Sequence, residues 1–190
     1  MTRKMLASRC QPMRRAPRPS LATLLVAIAL SSTVAGCAAS GLQGDVFQGQ
    51  GFSFRIAPPP QGWERVDVSH ASLAYRDAAD GGTVVINGRC GVDGEDVPLE
   101  ALTQHLFMRF TERQILEQQT FAFDKREALR TVLSAKLDGV PMKFDVWVLK
   151  KDGCVYDLGY MAAPQRFERG AAEFERFARG FSTVSTAHAD

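Results

Sequence analysis

Phe52 to Ala57 alternates as a half-buried strand does, and Pro58, Pro59 and Pro60 close it. Gly62-Trp63 opens a second strand. Ser72 to Arg76 and Thr83 to Asn87 follow as short strands of a small antiparallel set, joined across Asp80-Gly81-Gly82, where glycine supplies the positive φ of a tight turn. The period changes at Pro98: Leu99, Leu102, Leu106 and Phe110 form one helical stripe, and Pro98, Asp96 and Glu100 suit a helix start. The pattern then switches to four long strands broken by turn residues, Ile115 to Phe123, Ala128 to Leu137, Val140 to Lys150 and Cys154 to Ala162. Asp138-Gly139 and Asp152-Gly153 mark the last two connections, and Asp-Gly is a strong hairpin signal, so these runs predict a four-strand antiparallel meander. The chain closes on a helical stripe of Phe167, Ala171, Phe174, Ala178 and Phe181, with Arg169/Glu173 and Glu175/Arg179 as i,i+4 pairs on the outside.

In the third run, Phe144, Val146 and Val148 face one way and Trp147 and Leu149 the other, so cover is expected on both faces of the sheet. The predicted class is α+β, a mainly antiparallel sheet flanked by helices on both faces. The globular domain is expected over residues 51–182, a length that buries roughly two thirds of its unfolded surface, with 183–190 as a disordered tail.

The first fifty residues follow another logic. Six basic residues (Arg3, Lys4, Arg9, Arg14, Arg15, Arg18) and no acid precede an apolar run from Leu21 to Leu30. That run is too short to span a bilayer and reads as the core of a signal peptide over residues 1–36. It ends in small residues and a cysteine, Val34-Ala35-Gly36-Cys37, which resembles the lipobox of bacterial lipoproteins, with valine where that family most often has leucine. The resemblance implies a diacylglyceryl group on the Cys37 thiol, cleavage of the Gly36–Cys37 bond and a further fatty chain on the new amino group. Two or three chains exceed what stable anchoring requires. Ala38 in the sorting position implies an outer-membrane destination facing the periplasm. Arg14-Arg15 is followed by Ala16-Pro17, not by the hydrophobic pair of a twin-arginine signal. Residues 37–50, rich in glycine and small or polar side chains, are expected to form a lipidated flexible tether.

Composition is ordinary for a globular protein, 45% hydrophobic and 23% charged. The formal net charge of +2 becomes −4 once the six basic residues of the signal are removed, which argues against nucleic acid as a partner. Of four cysteines, Cys10 leaves with the signal and Cys37 is taken by lipid. Cys90 and Cys154 remain, as a disulfide in an exported domain or as two buried thiols. Asp157 stands in a strand between Tyr156 and Tyr160. It either lines a pocket with them or is a structural acid bonded to a neighbouring strand or to Arg89. The acids of Gly91 to Asp96 lack the spacing of a calcium loop. His70, His105 and His188 lack metal-ligand spacing, and no nucleophile elbow, phosphate loop or dinucleotide fingerprint occurs. No catalytic, metal or cofactor residue is assigned.

A strand Gly51-Phe-Ser-Phe-Arg-Ile56, prolines, Gly62-Trp63, a helix, a long meander and a terminal helix ending Phe177-Ala-Arg-Gly-Phe181 together resemble the PsbP-like fold, shared by an extrinsic photosystem II subunit and a Ran-binding import factor. The resemblance implies an α/β/α sandwich whose members mostly bind proteins or help assemble complexes. The expected function is a lipid-anchored, non-catalytic binding or assembly module for an envelope protein partner. The alternatives are a carrier of a small apolar or lipid ligand held between sheet and helices, and an enzyme using Asp157 with a tyrosine.

Overall fold

Alternation in the sequence becomes a sheet-dominated domain in the computed structural model, which describes residues 40–91 and 97–184. The elements are β1 (Gly41–Gln43), β2 (Val46–Gln48), β3 (Ser53–Arg55), β4 (Trp63–Arg65), β5 (Leu73–Asp77), β6 (Thr83–Cys90), α1 (Leu99–Leu106), β7 (Thr111–Phe123), β8 (Arg126–Leu137), β9 (Val140–Lys151), β10 (Cys154–Ala162), α2 (Phe167–Ala178) and β11 (Ser182–Val184). They build a seven-stranded antiparallel sheet in the order β4-β5-β6-β10-β9-β8-β7 and a four-stranded one in the order β1-β2-β3-β11. The expected four-strand antiparallel meander forms as β7-β8-β9-β10. Its Asp138-Gly139 and Asp152-Gly153 turns carry positive φ at both residues, 50° and 82° in the first and 54° and 71° in the second, as tight primed hairpins require.

Side chains on the two faces of the large sheet enter two separate cores. On one face Phe144, Val146, Val148 and Val155 pack with Leu133 and with Leu102 and Phe107 of the α1 region. On the other, Trp147, Leu149, Tyr156, Leu158 and Tyr160 pack under Phe167, Phe174 and Phe177 of α2 and against Phe47, Phe52 and Phe54 of the small sheet. Phe54 is central to the junction of the sheets: it lies 5.0 Å from Phe47 and 5.4 Å from Phe181 between ring centroids, and Phe181 lies 5.6 Å from Tyr156.

Two expectations are corrected. The domain is not an α/β/α sandwich with helical layers on both faces: strands take 53% of the described residues and helices 14%, in two helices only. The eight-residue α1 packs chiefly on β8 and β9, because the helix ends at Leu106, short of the Phe110 to which its stripe extends, and the chain turns through Phe107. α2 shares its face with the four-stranded sheet, much of it built from residues expected as tether. Leu42 and Phe47 pair across a hairpin with a two-residue Gly44-Asp45 turn, and Phe47 is buried against Phe54. The flexible stretch expected over 37–50 is therefore folded strand from Gly41 to Gln48. At the other end β11 carries order past residue 182, as far as Val184. Cys37, residues 92–96 and the rest of the tail lie outside the described residues.

Phe47→Ala separates a strand from a tether. In the fold it removes a buried ring and lowers stability by about 3 kcal/mol, read as a lower urea midpoint with unchanged slope. An unstructured tether would leave the midpoint where it was.

Candidate functional site

Several chain segments converge at one end of the large sheet. Cys90 ends β6 and Cys154 begins β10. The antiparallel register sets them directly opposite, and they form a disulfide that closes 64 residues. The Cys90 Sγ lies 3.3 Å from the carbonyl oxygen of Gly51, in the β2–β3 turn. Beside this bridge is a cleft of about 590 Å³ between the start of α1 (Pro98, Leu99, Glu100), the β7–β8 turn (Arg126, Glu127) and the β9–β10 hairpin (Lys150 to Val155). Pro98, Leu99 and Val155 give it an apolar floor, and its charged rim carries both signs, so it suits an extended or amphipathic group better than a simple ion.

Half-buried hydrogen bonds fix the walls. Lys150 Nζ donates to the Val97 carbonyl at 2.7 Å and so ties the entry of α1 to β9. Lys151 Nζ donates to the Asp124 carboxylate at 2.9 Å, and the Thr183 backbone N–H and hydroxyl donate to the same oxygen at 2.9 and 2.8 Å. Asp124 thus joins the β7–β8 turn, the end of β9 and β11. Burial pushes its carboxyl up, but the Lys151 and Thr183 hydrogen bonds outweigh this and hold it below the usual carboxylate range.

Asp157 accepts hydrogen bonds from Arg89 Nη1 at 2.8 Å and Asn87 Nδ2 at 2.9 Å, while the Asn87 side-chain oxygen accepts from the Ser72 N–H at 2.9 Å. It is a structural acid bridging β10 and β6, with Arg89 as the partner anticipated. The structure does not bring it together with Tyr156 and Tyr160. Strand alternation sends both tyrosines to the opposite face, where they are 3% and 0% exposed and burial pushes each hydroxyl up to about 12, so they stay protonated. Gly82 and Gly170 form the walls around Tyr160: a β-carbon at either would come within 2.4 Å and 2.0 Å of its ring or hydroxyl. The space under α2 that a carrier would use is filled by Trp147, Tyr160 and Phe174. His70 and His105 are exposed, and His188 lies outside the described residues.

Sequence reading missed a second buried acid, Asp145, fully enclosed on the α2 side of β9. Arg130 grips it through Nε at 3.0 and 3.1 Å and Nη2 at 2.6 Å, and Trp147 Nε1 donates to it at 3.0 Å. Burial pushes the Asp145 carboxyl up against the pull of Arg130, while the contact raises the guanidinium further. The signal was available: Asp145, like Asp157, interrupts an apolar run, and Arg130 stands on the neighbouring strand. Asp80, in the β5–β6 turn, is held below the ordinary range by its hydrogen bonds from Arg169 of α2.

The sequence matches no protein-family model and no curated protein. Among solved structures it is similar to cyanobacterial PsbP (CyanoP) from Synechocystis sp. PCC 6803, with 15% identity and a TM-score of 0.53 over 78% of this chain and 96% of that one. The domain has a PsbP-like fold. It is also similar to LpqN, involved in cell envelope biogenesis of Mycobacterium tuberculosis (16% identity, TM-score 0.51, 70% of this chain and 86% of that one). A third match is a protein from Bacteroides thetaiotaomicron (12%, 0.52, 77% of this chain and 51% of that one). These likenesses fix the PsbP-like architecture and leave the site to be argued from its own residues.

Reducing the Cys90–Cys154 bridge lowers stability by about 4 kcal/mol on the chain-entropy account, read as a shift of the urea midpoint under dithiothreitol; an unmoved midpoint contradicts it. Asp124 is more acidic folded than unfolded, so its contribution is complete above its unfolded value of 3.8 and fades as pH falls through the lower folded value. Asp124→Asn therefore flattens the acid limb of a stability-against-pH curve and leaves the slope near neutrality unchanged.

Proposed function

We propose that the mature chain is a lipid-anchored envelope protein, fastened through Cys37, that acts without catalysis as a binding or assembly module for a protein partner. The lipobox-like Val34-Ala35-Gly36-Cys37 supports the anchor, and the Cys90–Cys154 disulfide suits a compartment beyond the cytoplasmic reductants. No described helix is long and apolar enough to cross a membrane. LpqN, one of the similar structures, is itself described as involved in cell envelope biogenesis.

The observation that carries the binding role is β7. This thirteen-residue strand is the outer edge of the seven-stranded sheet, and it is exposed on both faces along nearly its whole length. Ile115 and Leu116 at its middle are 55% and 47% exposed. A long edge offers unpaired backbone groups to an extended segment of another chain, and apolar side chains beside it add affinity. Two bulges, between Thr111 and Gln114 and between Ile115 and Glu117, interrupt the regular ladder on this strand. Such bulges guard an edge against indiscriminate pairing and leave the regular stretch from Glu117 to Phe123 for a chosen partner.

A photo-crosslinking amino acid at Gln119, in that regular stretch, tests the role in native membranes, with Arg176 on the outside of α2 as control. The expected result is a discrete adduct at Gln119, absent at Arg176 and competed away when Leu116→Asp disfavours the edge. Recovery of monomer alone at Gln119, or the same adduct at both positions, contradicts it.

A further inference from the structure

Gly41, the first strand residue after Cys37, and the cleft lie at the same end of the fold. Only Ala38, Ala39 and Ser40 separate Cys37 from β1, so the Cα of Gly41 lies at most about 14 Å from that of Cys37 even with the chain fully extended. The headgroup layer of a bilayer takes roughly 5–8 Å of such a span. Gly41 pairs with Gln48, Gln48 with Ser53, and Ser53 with Val184, so all four stand at one end of the small sheet. That end is tied to the cleft end of the large sheet twice. Thr183 donates to Asp124 in the β7–β8 turn at 2.9 and 2.8 Å, and the Gly51 carbonyl touches the Cys90 sulfur at 3.3 Å. The opposite end, at the β8–β9 turn, stands a further twelve residues of strand away, roughly 40 Å.

We infer that the bilayer surface is itself a contact surface of this protein: the end carrying the β2–β3 turn, the disulfide and the cleft rests on the lipid headgroups. The inference rests on the acyl anchor at Cys37 and adds an orientation to it. Three connecting residues hold the attached end near the lipid at all times, where a long tether would let the body turn freely. The edge strand β7 runs outward from this end, with Thr111 and Ile115 in its outer half.

Tryptophan quenching tests the orientation on the full-length, processed protein. The acylated chain is placed in vesicles of phosphatidylethanolamine and phosphatidylglycerol that carry a nitroxide on the headgroup of a minor lipid. Gln50→Trp reports from the exposed β2–β3 turn and Val140→Trp from the far turn, each read against the parent protein. The emission added by Gln50→Trp is expected to be largely lost on the vesicles while that added by Val140→Trp is retained, and Cys37→Ser abolishes both binding and quenching. Quenching of Val140→Trp equal to or greater than that of Gln50→Trp overturns the orientation while leaving the anchor intact, provided binding still needs Cys37. Equal binding by Cys37→Ser removes the anchor and the orientation with it.

Discussion

Phe54 and its neighbouring rings determine how the two sheets meet, and most other placements follow from that contact. Phe47, Phe52 and Phe54 project from the small sheet into the face of the large sheet that carries Tyr156, and Phe181 closes the stack from the end of α2. Gly49 and Gly88 flank the Phe52 ring so closely that a β-carbon at either would come within 2.2 and 2.5 Å of it. No larger residue fits there without moving the ring. This junction carries β1 to the disulfide end, so the start of the folded domain, the Cys90–Cys154 bridge and the cleft share one pole.

Much of the large sheet was legible because its long apolar runs read as strands and Asp-Gly marks two of the turns between them. The small sheet was not legible. Its strands are three residues long, below the length at which alternation stands out from a glycine-rich linker, and their partner β11 comes from the far end of the chain. Only long-range pairing gives Leu42 and Phe47 somewhere to be buried. The helical cover was overestimated for a related reason: a stripe of leucines predicts a helix without saying how many turns the sheet has room to receive.

The candidate site shows the same division. The pairing of Cys90 with Cys154 and of Asp157 with Arg89 could be anticipated from residue type and strand position. The grouping of Asp157 with Tyr156 and Tyr160 ignored the alternation used elsewhere in the same strand, which sends neighbours to opposite faces. Asp145 escaped notice although it is the more deeply buried acid, because the strand around it reads as apolar and its partner Arg130 comes from the preceding strand. The cleft could not be seen at all, since it is made by two turns and a helix start that meet only in the fold.

A functional account built on this architecture requires attachment close to the first strand. Intact mass and fragmentation of the mature protein extracted from membranes address that requirement most directly. The account predicts an amino terminus at Cys37 carrying a diacylglyceryl thioether, with Cys90 and Cys154 oxidised. A mature chain beginning elsewhere, or an unmodified Cys37 thiol, would contradict it.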